Sequence, residues 1–207
     1  DRAALKNIIE EFTARIVKVG SGAHNYTTAV LVNLINEVGG LPTRNFSEGR
    51  FEGADKISGE ALTRLIKERG GKVGEGCHPG CAIRCSNIFK DKNGNELTSA
   101  LEYETIVLLG SNLAIDDLDE IAKMDRLCDE IGIDTIETGA TLGVAMESGF
   151  IPFGDSESAI NLIEEIGKGT PTGRLFGSGC VAVGKAFGCC RVPAVKGQSL
   201  PAYDPRA

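Results

Sequence analysis

Apolar residues return every three or four positions through most of this chain, and that period leaves a helical fold as the main option. The clearest case is "DDLDEIAKMDRLCDEIGID", where Leu118, Ile121, Met124, Cys128 and Ile131 form one stripe. Asp117 and Glu120 stand at capping-box spacing in front of it, and Gly132 is placed to end it. "DRAALKNIIEEFTARI" repeats the pattern with Leu5, Ile8, Ile9, Phe12 and Ile16. "TTAVLVNLINEVGG" does so with Val30, Leu31, Leu34, Ile35 and Val38, closed by Gly39. In "SGEALTRLIKERGG", Ser58 starts a helix, Leu62, Leu65 and Ile66 are its buried side, and Gly70 stops it. "TIETGATLGVAMESG" and "SESAINLIEEIGKG" continue in kind. "TGRLFGSGCVAVGKAFG" is read as helical despite its glycines, since small residues permit close helix contacts. One hairpin interrupts the series, at Asn93-Gly94 in "CSNIFKDKNGNELTS". The expected fold is all-α: one multihelical domain over residues 1–207 with a single irregular, cysteine-bearing loop.

No stretch reaches the roughly 18 uninterrupted apolar residues of a membrane span. The basic residues are scattered within a net charge of −7, so no phosphate-binding surface is indicated and no nucleic-acid partner is expected. Seven cysteines in a chain this large do not read as a disulfide framework. They fit a reducing, cytoplasmic setting in which clustered thiols serve a metal and scattered ones serve the core.

The clustered thiols lie in "EGCHPGCAIRCSN", with Cys77, Cys81 and Cys85 four residues apart. Gly76, Pro79 and Gly80 break any helix there, so the thiols can turn towards one centre. An irregular loop suits an iron–sulfur cluster, whose ligands wrap a cube. Zinc is the alternative, although its ligands more often come as pairs from two segments. The plainest alternative is three buried structural cysteines. A c-type haem is excluded, because no C-x-x-C-H occurs. His78 reads as a loop residue rather than a ligand, and His24 as an ordinary residue before a helix. Cys128 reads as core, and none of Cys128, Cys180, Cys189 and Cys190 presents itself as a fourth ligand.

Two further stretches have a bland and a functional reading. In "ALEYETIVLLG", Glu102 and Glu104 precede an apolar run, so one of them can border a pocket as general acid or base. The plainer reading is a solvated pair opening a helix. In "DEIGIDTIETG", Asp134 caps a second helix whose N–H groups can receive an anion or polar heterocycle. The plainer reading is a helix–turn–helix connection.

Taken in order, "GGLPTRNF", "CHPGCAIRC", "EYETIVLLG", "LCDEIGIDTIETG" and "VKGQSLPAYDPR" resemble the tungsten-dependent aldehyde ferredoxin oxidoreductase family over essentially the whole chain. The resemblance implies a tungsten or molybdenum bis-pterin centre, a neighbouring [4Fe–4S] cluster, an aldehyde substrate oxidised to a carboxylic acid, and ferredoxin as electron acceptor. By it, Cys77, Cys81 and Cys85 are cluster ligands. Asp129, Gly132, Ile133 and Asp134 contact a pterin, and Glu104 lies by the metal and assists proton transfer. The first cysteine pair is C-x3-C where the family more commonly has C-x2-C, and Ile133 stands where the family has leucine. The D-x-x-G-L-C pattern that supplies the family's fourth cluster ligand does not occur in these residues. The resemblance therefore implies the middle helical domain of a longer polypeptide, whose β-rich N-terminal cofactor domain and C-terminal domain lie outside it. Such a piece is expected to be inactive alone, with both cofactors open to loss. The rival readings are a related tungsten enzyme that reduces an aromatic thioester and a non-enzymatic metal-binding domain.

Overall fold

The computed structural model describes residues 1–207 and contains ten α-helices and two small antiparallel sheets. The helices are α1 (Arg2–Val19), α2 (Ser21–Tyr26), α3 (Leu31–Val38), α4 (Gly59–Glu68), α5 (Tyr103–Leu109), α6 (Leu118–Ile131), α7 (Thr135–Glu147), α8 (Ser156–Lys168), α9 (Pro171–Phe176) and α10 (Cys180–Phe187). Strands β1 (Lys72–Glu75), β2 (Ser86–Lys90) and β3 (Glu96–Ser99) form one sheet in that order. Strands β4 (Ala194–Val195) and β5 (Gln198–Ser199) form a short hairpin near the end of the chain.

The centre is α5, whose Thr105 to Leu109 are all buried. It packs on α7, where Gly139 lets the two backbones meet: a Cβ there would lie 2.6 Å from the Leu108 carbonyl oxygen. Helix α6 adds Leu118, Ile121, Met124 and Cys128 to the same core, as its period predicts. Its ends also follow the sequence. Asp117 accepts from the Asp119 N–H at 2.8 Å, and Gly132 stops the helix at φ 80°. Glu120 does not complete the box; its carboxylate pairs with Lys123. Ser58 caps α4, accepting from the Ala61 N–H at 3.2 Å, and the helix buries Leu62 and Ile66.

Three expectations need correction. The periodic face of α1 buries nothing: Phe12 is 55% exposed and Val19 87%, because no other element of the chain lies against it. Helix α3 begins only at Leu31 and buries Val32, leaving Leu34 and Val38 of the expected stripe exposed. The glycine-rich stretch after Thr170 is two short helices, because Gly179 at φ 89° divides α9 from α10. The hairpin turns at Asn93-Gly94 as expected. It gains an unforeseen third strand, β1, whose "KVGE" is too short and too polar to announce itself.

Candidate metal centre and the converging motifs

The loop between β1 and β2 carries the clustered cysteines at the protein surface. Donor atoms of Cys77, His78 and Cys81 all lie within 4.8 Å of one another, beside an open cavity of about 610 Å³ lined by Glu75 to Cys81 and Arg84. Gly80, at φ 85°, gives the sharp bend that folds Cys81 back towards Cys77. The backbone N–H of Arg84 donates to the Cys81 sulfur at 3.4 Å and holds that thiol below its ordinary range. Cys85 does not join the group. It sits at the start of the sheet, half-buried, and burial, with the Glu102 charge second, pushes its thiol up. His78, expected to be a bystander, is among the gathered donors.

These residues fit the chemistry of a soft metal or an iron–sulfur cluster at one corner. Two thiols and a peptide N–H aimed at sulfur are what such a group takes. The remaining cysteines behave as core or rim groups. Cys128 and Cys180 are buried, each pushed by burial up to about 12, with the Glu137 contact adding to the shift at Cys180. Cys189 donates to the Arg191 carbonyl at 3.3 Å.

The other four motifs meet elsewhere, around the chain's last residues. Tyr103 donates its hydroxyl to the Ala202 carbonyl at 2.7 Å, and Glu104 accepts from the Ala202 N–H at 2.6 Å. Neighbouring residues of "EYET" therefore grip both polar groups of one residue in "LPAYDP". The Asp204 N–H donates to the Gly40 carbonyl at 3.0 Å, and Arg206 donates to the Phe46 carbonyl, which brings in "GGLPTRNF". Glu137 of "TIETG" accepts from the N–H groups of Cys180 at 2.8 Å and Ser199 at 3.1 Å. Burial opposes its charge, but these donors prevail and hold its carboxyl below the ordinary range.

Glu104 is half-buried, and that burial pushes its carboxyl up against the lowering effect of Ala202. Glu102 is not a solvated partner. Its carboxylate accepts from the Thr28 hydroxyl at 2.5 Å, and burial pushes it up as well. The two side chains point to different neighbours, as their spacing requires.

The expected pterin residues divide. Gly132 and Ile133 both direct their N–H groups to the Cys128 carbonyl, at 2.8 and 3.0 Å, which closes α6 in a Schellman-like stop. Asp134 caps α7, accepting from the Glu137 N–H at 2.8 Å. This is the helix–turn–helix connection of the plainer reading. Asp129, Gly132 and Asp134 are exposed; Asp134 and half-buried Ile133 border a cavity of about 180 Å³ together with Glu137, Thr138, Thr141 and Gly179. The Thr141 hydroxyl on its wall is buried and has no partner, the kind of orphan a polar ligand edge satisfies. The volume suits one edge of a heterocycle, being well under the roughly 300 Å³ that encloses a whole small ligand.

Two further buried or half-buried carboxylates, Asp125 and Glu137, join the structure's polar contacts, and only the first has a signal in the sequence. Asp125 lies within the apolar stripe of α6, so its burial was implied by the period; burial raises its carboxyl to about 7, and Thr98 donates to it at 2.5 Å. Glu137 had no such signal, because its partners lie 43 and 62 residues away.

The fold and loop define a helical protein whose one exposed loop gathers soft donors able to hold a metal ion. A family model described as "Aldehyde ferredoxin oxidoreductase, domains 2 & 3" matches residues 3–207, and the chain belongs to that family. It is 40% identical over 202 residues to a tungsten-containing aldehyde ferredoxin oxidoreductase of Thermococcus kodakarensis, covering 90% of this chain and 32% of that protein. It is 36% identical over 228 aligned residues to the protein of the same description from Pyrococcus abyssi, covering 100% and 36%. A shorter match, 35% over 71 residues, reaches an aliphatic sulfonate oxidoreductase WOR-like subunit of Pyrococcus furiosus, covering 33% of this chain and 11% of that one. The chain spans about a third of the length of the tungsten-containing relatives it matches. None of its helices is long and apolar enough to cross a membrane.

Proposed function

We propose that this chain is one helical domain of a cytoplasmic tungstopterin, iron–sulfur oxidoreductase that converts an aldehyde to a carboxylic acid and delivers electrons to ferredoxin. The observation that carries the reading is the family match over residues 3–207 combined with the gathering of Cys77 and Cys81 in the exposed loop. When bound, the tungsten (or molybdenum) bis-pterin and the [4Fe–4S] cluster would supply two-electron oxidation and one-electron transfer.

The chain's own residues supply positioning and proton handling. Cys77, Cys81 and Cys85 would hold the cluster. Asp129, Gly132, Ile133 and Asp134 border one pterin, with the partnerless Thr141 hydroxyl behind the last two. Oxidising an aldehyde with water releases two protons. Glu104, with one carboxylate oxygen fixed by Ala202 and its affinity for a proton raised by burial, takes one of them. The apolar face of α1, left bare by this chain, is suited to packing against the rest of a longer polypeptide.

The test is aldehyde-dependent reduction of a viologen dye by the full-length protein. Activity is expected there and none from residues 1–207 alone. Glu104→Gln should lower kcat about 100-fold or more while leaving the metal content intact. A full-length protein that is loaded with metal and inert to aldehydes, yet reduces an aromatic thioester, contradicts the assignment. Uptake of zinc alone points to a non-enzymatic metal-binding domain.

A further inference from the structure

His24 enters the sequence as an unremarkable residue ahead of a helix. In the fold it lies within α2, against the cysteine loop, and its Nδ1 lies 3.1 Å from the Ile83 carbonyl oxygen. A carbonyl oxygen only accepts, so Nδ1 carries the proton. The peptide group that owns this oxygen also owns the Arg84 N–H, and that N–H donates to the Cys81 sulfur at 3.4 Å. One peptide plane thus links the imidazole on one side to a ligand sulfur on the other. The plane needs holding, because Arg84 sits at φ 54°, a left-handed conformation that a non-glycine residue does not adopt freely.

Two packing features lock the same contact. Gly74, in β1 at φ 77°, has the His24 ring where its Cβ would be, with Cε1 at 2.9 Å. Gly20 presses on the Ile83 side chain, whose Cγ2 would lie 3.2 Å from a Cβ there. Ile83 is therefore held through its side chain by Gly20 and through its carbonyl by His24, midway between Cys81 and Cys85.

We propose that His24 is a positioning residue for the iron–sulfur cluster: by fixing the Ile83–Arg84 peptide it aims an N–H at the Cys81 sulfur and thereby raises the cluster's reduction potential. The inference rests on the cluster assignment made above. N–H groups directed at ligand sulfur favour the more negative, reduced state, so losing one favours the oxidised state. A hydrogen bond of this kind is worth about 1 kcal/mol, close to a fivefold change in the one-electron equilibrium.

The experiment uses the full-length protein, reconstituted anaerobically, with His24 replaced in three ways. His24→Ala removes ring and donor, His24→Phe keeps a ring against Gly74 without the donor, and His24→Asn keeps a donor near the Nδ1 position. Redox titration followed by electron paramagnetic resonance should show the Ala and Phe proteins shifted about fivefold towards the oxidised cluster, with Asn near the parent. A Phe protein titrating with the parent overturns the proposal, since packing alone would then suffice. Selective 15N-arginine labelling of the metal-free protein gives a second readout. The Arg84 amide resonance should move in the Ala and Phe variants, and an unmoved resonance in both overturns the proposal whatever metal the loop takes. Failure of the cluster assignment itself would appear differently, as absence of the iron–sulfur signal from the parent protein.

Discussion

The cysteine loop and the α5–α7 centre are built on opposite plans. The loop is glycine-rich and open, and its donors Cys77 and His78 are exposed. The centre is close-packed, with Ile106 to Leu109 fully buried and Gly139 admitting backbone contact that a single methyl group would block. On the proposed reading the loop contributes binding and little stability, and the centre contributes stability and places the proposed acid–base group, Glu104. Half-buried Glu102 and buried Asp125, two carboxylates with raised proton affinity, belong to neither plan.

The division can be broken by mutation. Leu108→Ala, at the α5–α7 contact, should cost about 2–5 kcal/mol in chemical denaturation through the cavity it leaves. Asp125 gives the next largest effect, and it depends on pH. Its folded-state value of about 7 lies above the ordinary 3.8, so between those values the folded chain holds a proton that the unfolded chain releases. Stability should be highest in acid for this group, fall as pH rises from about 4 to about 7, and level off above, by up to about 4 kcal/mol. Asp125→Asn, which still accepts from Thr98, should flatten that slope in parallel denaturation series; an unchanged slope would show that Asp125 is not the group responsible. Ser58→Ala should cost about 1 kcal/mol through the lost cap of α4. Cys81→Ser should fall within about 0.5 kcal/mol of the parent, because the metal-free loop supports nothing else.

The same division explains what could be read from the sequence. Period and capping residues fix α4 and α6 nearly to their ends, because local chemistry decides both the buried face and the stop at Gly132. The face of α1 has the right period and no partner, and periodicity cannot supply the surface a helix packs on. The three cysteines were legible as a group from their spacing, but spacing could not tell that His78 joins Cys77 and Cys81 while Cys85 stands apart, just ahead of β2. Nor could it reveal contacts across long separations. His24 meets Ile83 across 59 residues, and Glu104 meets Ala202 across 98. Glutamates two positions apart looked like a solvated helix start; the fold half-buries both, since Thr28 on one side and Ala202 on the other partner them.

The measurement that bears most directly on the central claim is iron and acid-labile sulfide content after anaerobic reconstitution of the full-length protein, beside Cys81→Ser. The account predicts four irons and four sulfides per chain in the parent, as a [4Fe–4S] cluster requires, and loss of both in the variant, whose denaturation midpoint should match that of the metal-free parent. Zinc without sulfide in the parent, or an intact cluster in Cys81→Ser, would contradict it.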